Sequence, residues 1–470
     1  MAVSTPNKTY ERFKGMWEQC RDFVEGSDSV KKHSTKYLPR PEAMSDEEYK
    51  GYVKRAEFCP YVTRTLEGIH GLMFRKPLLI DVPENLKSYL ENVDGKGSTL
   101  DKFANDSTYD NKITGWGGIL IDAPAGDNIS KKQAEEEGIY PYLIYYNAEK
   151  IINVQTQIIG RKEKVVLVVL EETEDVQSTD RYSTEEKKRY RQLEIDEEGY
   201  YKESVLDEFD AVLSETYPRK FGQLMTEIPF YFLTTKNPSI SMIKPIVDVN
   251  ESWFHKSADL ENGAHWTGVP TPYCVGYSPE TMFDENGKPI PQEKLKLGGS
   301  QFIYFPAGVT SVGYLEFSGA GLSQLITMMT NDEERMAILG ARIISQERKG
   351  VESAETAKIH RACENSVIAT YANECSDIFT QLIRDYLEWT VGNEISEDIN
   401  IRFNTDYDVG TMSPSELTAL VSLWQQGGIS KKVLFNNLKE GEIIENDLTI
   451  EEMEDDIASE KETKINIDKE

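Results

Sequence analysis

The side chains that most often do chemistry in proteins, cysteine and histidine, are few and scattered in this sequence. The five cysteines contain no CxxC pair and predict neither a zinc site nor a disulfide framework; they are Cys20, Cys59, Cys274, Cys363 and Cys375. The five histidines show no metal-ligand spacing, and the HExxH motif is absent. We therefore predict that the chain binds no metal and no cofactor.

Three glycine-containing segments partly match motifs of catalysis or ligand binding. Residues 95–99 (GKGST) fail the glycine spacing of a phosphate-binding loop, and Ser98 or Thr99 is better explained as a helix N-cap. Residues 318–321 (SGAG) lack the leading glycine of a nucleophile elbow, and 284–287 (DENG) lack the glutamate that a calcium loop needs at its twelfth position. Acidic pairs are too numerous to single out a glycosidase dyad. These absences predict a protein that is not an enzyme, with an acidic-residue hydrolase as the alternative from the class of enzymes.

The charge balance limits the ligands that the chain can bind. Its 470 residues include 52 basic and 81 acidic ones, giving a net charge of −29. A protein that binds nucleic acid over a broad face needs clustered Lys and Arg, so this balance argues against one. It leaves open an acidic passage with a few basic rings. The most apolar run, 165–170, is too short to span a bilayer and predicts a buried strand in a soluble protein without a signal peptide.

The periodicity predicts an α+β chain with a distinctive middle. Strand and helix patterns alternate to about residue 240, including a hairpin that turns at 196–199. An apolar helical stripe then contains Ile246, Val249, Trp253 and Leu260, and a second one contains Leu322, Leu325, Met329 and Met336. These two helices flank a small β module. A polar loop at 345–355 precedes a helix of roughly 50 Å, which suits a strut or an oligomer contact.

Several sequence blocks, all in the same order, resemble one branch of tailed-bacteriophage portal proteins, formerly catalogued as a phage domain of unknown function. The blocks include 37–40 (YLPR), 64–68 (RTLEG), 71–77 (GLMFRKP), 117–124 (GGILIDAP), 270–272 (PTP), 305–308 (FPAG), 336–342 (MAILGAR) and 355–357 (ETA). The resemblance covers about residues 30–425, and the charged stretch 171–220 departs from it. It implies a phage portal fold with an α/β wing, a two-helix stem, a small β clip, a long wing helix and a short helical crown.

The portal pattern divides the chain into seven segments. They are the wing 1–243, stem helix 1 at 244–267, the clip 268–318, stem helix 2 at 319–344, the tunnel loop 345–355, the long wing helix and return 356–425, and the short crown and acidic tail 426–470. The resemblance implies a homo-oligomeric ring, usually of twelve subunits, at one vertex of the virion, assembled in the host cytoplasm. It also implies as partners the terminase large subunit, major capsid and scaffold proteins, a head–tail adaptor, and double-stranded DNA in transit without sequence specificity. The alternative within the structural class is a head–tail connector or minor capsid protein.

Two sets of site residues follow. The apolar stripes are large for one subunit to hide, which predicts oligomer contacts at Trp253, Leu260, Leu325, Met329 and Met336. A basic pair in the tunnel loop, Arg348 and Lys349, with Lys358 in the following helix, predicts sparse contacts with DNA inside the channel. An ordinary solvated loop would explain the same charges.

Overall fold

A computed structural model describes residues 2–123, 140–177, 184–268, 271–275, 311–315, 319–340, 354–392, 399–405, 407, 414–440, 443–444, 450 and 453. The chain divides into two compact units, Met1–Thr405 and Asp406–Glu470. The first unit mixes helices with largely antiparallel sheets, which confirms the predicted α+β class.

Helices dominate the first 115 residues. They are α1 (Lys8–Glu25), α2 (Ser27–Lys32), α3 (Ser34–Tyr37), α4 (Asp46–Arg55), α5 (Tyr61–Met73) and α6 (Leu100–Thr114), with the short strand β1 (Leu79–Asp81) and a 3-10 helix (Glu84–Leu90) before α6. Side chains cap several N-termini: Asn7 accepts from the backbone of Tyr10, and Ser45 forms a capping box with Glu48. Thr99 caps α6, which confirms that 95–99 serve a helix start.

Strands fill the next part of the unit. They are β2 (Gly117–Asp122), β3 (Tyr142–Asn147), β4 (Ile151–Ile159), β5 (Lys162–Gln177), β6 (Thr184–Ile195), β7 (Tyr201–Asp207), β8 (Val212–Thr216), β9 (Arg219–Lys220), β10 (Gln223–Leu224) and β11 (Phe230–Phe232). One antiparallel sheet has the order β11-β2-β3 and a larger one the order β4-β5-β6-β7-β8. The predicted hairpin at 196–199 is confirmed as the β6–β7 turn, and the predicted buried strand as β5.

The middle of the chain has the predicted helix, β and helix order. It contains α7 (Lys244–Gly268), β12 (Thr271–Val275), β13 (Ser311–Leu315), α8 (Ala320–Leu339) and α9 (Ala354–Val391), and β12 pairs antiparallel with β13. Helix α9 has 38 residues, which corresponds to about 57 Å. The chain then returns to the first residues: β14 (Asn400–Arg402) pairs with β1.

Three apolar cores hold the first unit together. One packs α9, from Tyr371 to Leu387, against α6, β1 and β2. The second core packs the five helices from α1 through α5 against α7 and α8. The third lies under the large sheet, where Trp17 of α1 stacks on Trp116 at 5.8 Å and Trp116 stacks on Phe232 at 5.8 Å. Helix α1 therefore contributes to two of the three cores.

The second unit contains α10 (Pro414–Gln425) and α11 (Lys431–Glu440). Pro414 occupies the first helical position of α10, where its missing N–H costs no hydrogen bond, and Gly427 adopts a positive φ of 74° after the helix. The predicted segment boundary at 425/426 falls between these two helices. The portal segments remain a prediction about function, although α7, α8 and α9 closely match the predicted limits of their helices.

Candidate assembly surfaces

Helices α7 and α8 pack side by side, and small and charged residues set their spacing. A Cβ atom added at Gly263 would lie 2.6 Å from Leu322 Cδ2, so the two helices approach closely at the end that leads to β12. Further along, Lys256 Nζ lies 2.5 Å from Asp332 Oδ2 and also donates to Ser252 Oγ at 2.6 Å. Asp332 is only 4% exposed, so removal of either partner would leave a poorly solvated charge.

The five predicted oligomer contacts lie on the facing sides of these two helices. Trp253 is 3% exposed, stacks edge-on against Tyr61 and donates through Nε1 to Glu333. Met329 and Met336 are buried in the same core, while Leu260 and Leu325 are half-buried. The premise that one subunit cannot easily hide this stripe is therefore wrong for Trp253, Met329 and Met336, because the N-terminal helices cover them. Contact of the five residues with a second copy stays a prediction.

Helix α8 also carries apolar residues outside this core that the chain leaves exposed, on more than one side of the helix. They are Ile326, Met328, Ile338 and Leu339, and Ile338 is the most exposed at 58%. The side chains between them, including Gln324, Thr327 and Asn331, are exposed and polar. Singly scattered apolar residues are common on protein surfaces. These four residues nevertheless are apolar side chains of α8 that a neighbouring copy could contact without unfolding the subunit.

The predicted DNA-contacting residues cannot be placed as a group. Arg348 and Lys349 lie outside the described residues. Lys358 lies in α9, but its side chain is also outside them. Their contact with DNA therefore stays a prediction.

A buried lysine lies where α5, α6 and α9 meet. Lys112 is 1% exposed, and its Nζ lies 3.1 Å from His70 Nδ1, 3.3 Å from the Thr108 carbonyl oxygen and 4.9 Å from the Tyr371 ring centroid. Among the described residues it has no carboxylate partner. Burial lowers the pKa of Lys112 to about 7. Burial and the nearby lysine lower the pKa of His70 to about 4. The sequence gives no sign of this site, because a single lysine in a polar helix suggests a solvated position.

Two half-buried arginines join the sheets and helices through carboxylates. Arg191 of β6 lies 2.7 Å from Asp122, 2.9 Å from Glu172 and 3.0 Å from Glu203, so it links the larger sheet to β2. Burial raises the pKa of Glu203 despite the opposing effect of Arg191. Arg21 bridges α1 to α6 through Asp110, at 2.7 Å, in the same way. Each guanidinium forms ion pairs with protein carboxylates, which fits a structural role better than catalysis.

An open cleft of about 950 Å³ lies between β4–β5, β11 and the end of α9. Several of its charged side chains pair with each other: Lys220 with Glu388 at 2.8 Å, and Lys164 with Glu227 at 2.6 Å. Within the described ranges there is no group of three or more His, Cys, Asp or Glu residues that could hold a metal ion. In those same ranges no helix combines the length and apolarity needed to cross a membrane.

The comparisons with known proteins concern the middle of the chain and, for solved structures, most of its length. Residues 243–390 match the family described as Domain of unknown function (DUF4055). No curated protein matches the chain.

Solved structures with loose similarity come from gene transfer agent (GTA) particles. A chain from the virion of the native particle is 10% identical with a TM-score of 0.38, covering 86% of this chain and 95% of that one. A chain from the neck of the native particle, computed with C12 symmetry, is 9% identical with a TM-score of 0.37, covering 84% and 92%. A chain from the neck of the empty particle, computed with C6 symmetry, is 10% identical with a TM-score of 0.39, covering 84% and 93%. Superpositions this loose do not by themselves assign a function.

Proposed function

We propose that this chain is the portal subunit of a tailed bacteriophage, a ring-forming structural protein that surrounds the channel for DNA packaging and ejection. The ring would stand at one vertex of the capsid in the virion. Terminase would dock on it during packaging, and head–tail adaptors would dock on it afterwards. Major capsid and scaffold proteins would contact its outer side during assembly.

One observation carries the proposal: the succession of α7, the β12–β13 pair, α8 and the 38-residue α9. A strand pair inserted between two packed helices, followed directly by a long helix, is the order that the portal resemblance implies for clip, stem and wing helix. The family match at 243–390 covers almost the same residues, from the start of α7 to the end of α9. The blocks that resemble portal proteins also extend N-terminally of this region, back to residue 37.

The acidic composition supports passage of DNA more than its retention. A net charge of −29 per subunit repels phosphates over most surfaces, so a duplex would contact only a few basic positions. Arg348, Lys349 and Lys358 are the proposed positions, and ring symmetry would repeat each of them. Replacing Arg348 and Lys349 with serine should reduce packaging or retention of full-length DNA in an infection complementation assay. Unchanged packaging across a range of salt would show that their charge is incidental.

Oligomeric state tests the proposal directly. The purified full-length chain, measured by mass photometry and negative-stain microscopy, should give particles with a central hole. Twelve chains of 53.5 kDa would have a mass of about 640 kDa. A protein that stays monomeric at all concentrations, or that forms only open filaments, would refute the ring. The same images would distinguish a portal from a hydrolase, which needs no through-hole.

A further inference from the structure

The edge strand β8 and the turn before it present apolar side chains to solvent. Every residue from 208 to 217 is exposed. Phe209 is 80% exposed, Val212 56% and Leu213 50%, and Phe209 is the most exposed large apolar side chain among the described residues. Most protein surfaces carry such side chains singly, so this continuous stretch points to a surface that binds something.

Hydrogen bonds fix the turn that carries Phe209. Asp207 Oδ1 accepts from the backbone amides of Phe209 at 2.8 Å and Ala211 at 2.9 Å. Asp210 adopts a positive φ of 64°, and its Oδ1 accepts from the backbone amide of Val3 at 2.8 Å. The turn is therefore tied both to itself and to the N-terminal segment. Phe209 is held outside the core in a fixed place, so little conformational entropy is lost when a partner covers it.

One side of β8 is open in the described part of the chain. There β8 pairs only with β7, from Thr216 opposite Glu203 to Val212 opposite Leu206. A register shift gives β8 one extra residue, Leu213, and bulges of this kind often re-aim a side chain. Edge strands are commonly protected from further pairing by lysine or proline, and β8 (VLSET) contains neither. Its free backbone groups can therefore pair with another extended segment.

The surroundings of β8 are acidic. Residues 203–218 contain no Lys or Arg, and their five acidic residues are Glu203, Asp207, Glu208, Asp210 and Glu215. Glu203 lies 3.0 Å from Arg191, and Glu215 lies 3.0 Å from Lys202. The other three carboxylates lie around Phe209 in sequence and give this end of β8 an excess of negative charge. A basic partner matches this surface, whereas a second copy, with its own net charge of −29, matches it poorly.

We infer that β8 is a docking edge for an extended segment of another protein, in which apolar residues alternate with lysine or arginine. The segment pairs with the free backbone groups of β8 and becomes a sixth strand of the five-stranded sheet. Its apolar side chains cover Val212 and Leu213 next to Phe209, and its basic side chains face the carboxylates. The inference goes beyond the proposed ring and does not depend on it.

Binding of a defined peptide tests this docking edge. A fluorescein-labelled peptide of alternating lysine and valine residues should bind the full-length chain in fluorescence anisotropy, and added salt should weaken the binding. The same peptide with glutamate in place of lysine should not bind. The lysine peptide methylated on every backbone nitrogen should not bind either, because it keeps the side chains but cannot donate hydrogen bonds to a strand. Absence of binding by the unmodified lysine peptide would overturn the inference, as would equal binding by its methylated form.

Matched variants locate the binding on the sheet. Val212→Thr/Leu213→Thr keeps strand-forming residues but removes the apolar surface, and should weaken peptide binding roughly tenfold. Ile158→Thr/Ile159→Thr makes the same kind of change on β4, the other edge strand of the sheet, and should bind the peptide like the wild type. Equal losses in the two variants would overturn the assignment to β8. So would weaker ring assembly by Val212→Thr/Leu213→Thr, because a second copy would then be the occupant. A wild type that stays monomeric would refute the ring, whereas the peptide result would still decide the docking edge.

Discussion

The buried lysine gives a stability prediction whose size follows from the structure. The pKa of Lys112 is about 7 in the folded chain, against about 10.4 for an unfolded lysine. Between these values the unfolded chain binds a proton that the folded chain lacks, so the free energy of unfolding rises with pH. From pH 7.5 to pH 9.5 this single group should contribute a rise of about 2–3 kcal/mol.

Substitution Lys112→Met should remove that rise. Methionine keeps an unbranched side chain of similar length beside Phe74 and Tyr371, and it has no charge to desolvate. Urea unfolding at pH 7.5, 8.5 and 9.5, followed by tryptophan fluorescence, should show that the free energy of unfolding of the wild type increases relative to that of the variant as pH rises. At pH 7.5 the variant should be the more stable protein by roughly 2–3 kcal/mol. Keeping the wild-type lysine neutral costs roughly 4 kcal/mol at this pH, and the lost hydrogen bond to the Thr108 carbonyl oxygen offsets only about 1 kcal/mol of that.

The titration of neighbouring groups does not account for this rise of the free energy of unfolding with pH. The pKa of His70, at about 4, lies below the chosen window. Burial raises the pKa of the Cys375 thiol to about 12, so the titration of this thiol lowers the free energy of unfolding as pH rises. This opposite effect begins only near pH 9 and is present in both proteins. Lys102→Met, at an exposed position of the same helix, is the matched control and should leave the slope unchanged. Parallel stability curves for the wild type and Lys112→Met would refute the assignment of Lys112 as a buried, uncharged amine.

Three further outcomes can be measured. Asp332→Asn should lower the stability by about 3 kcal/mol in urea unfolding, because Lys256 stays buried without its partner. Gly118→Ala should cost about 1–3 kcal/mol in the same assay, since its Cβ would collide with the ring of Phe230 on the neighbouring strand. Ile338→Asp should leave thermal unfolding of the subunit nearly unchanged but reduce the ring fraction in mass photometry, because its side chain is exposed on α8.

Each of these changes has a matched control. Arg335→Ala removes an exposed cation that lies 3.5 Å from Asp332 and should change the stability by less than about 1 kcal/mol. Gly71→Ala places its Cβ in open space. Thr327→Asp adds the same charge to an exposed position of α8. If Arg335→Ala costs as much as Asp332→Asn, or if Thr327→Asp disrupts rings as strongly as Ile338→Asp, the corresponding reasoning is wrong.

Local signals in the sequence were enough to predict many elements. The capping residue Thr99 and the turn at 196–199 act over a few neighbouring residues, and both occupy the predicted places. The apolar periodicity likewise predicts α7, α8 and α9, because a helix that packs on a core needs a continuous stripe.

Long-range partners could not be predicted in the same way. A stripe that contains Trp253 shows that one face of the helix is buried, but it does not show which chain buries it. Helix α1 covers this region of the core together with α4 and α5, and its role depends on contacts more than two hundred residues away. Lys112 was missed for a related reason: its burial results from Tyr371 of α9, and a lysine gives no local sign of burial.

The pairing of β1 with β14 has a consequence for the timing of synthesis. Leu79 is paired with Arg402, more than three hundred residues later in the chain. At about 5–20 residues per second, a ribosome needs roughly 15–65 s to produce the second strand after the first. During that interval the apolar side chains of α6 that later contact α9 have no partner. Nascent chains should therefore bind chaperones until translation has passed β14, and should be released soon afterwards.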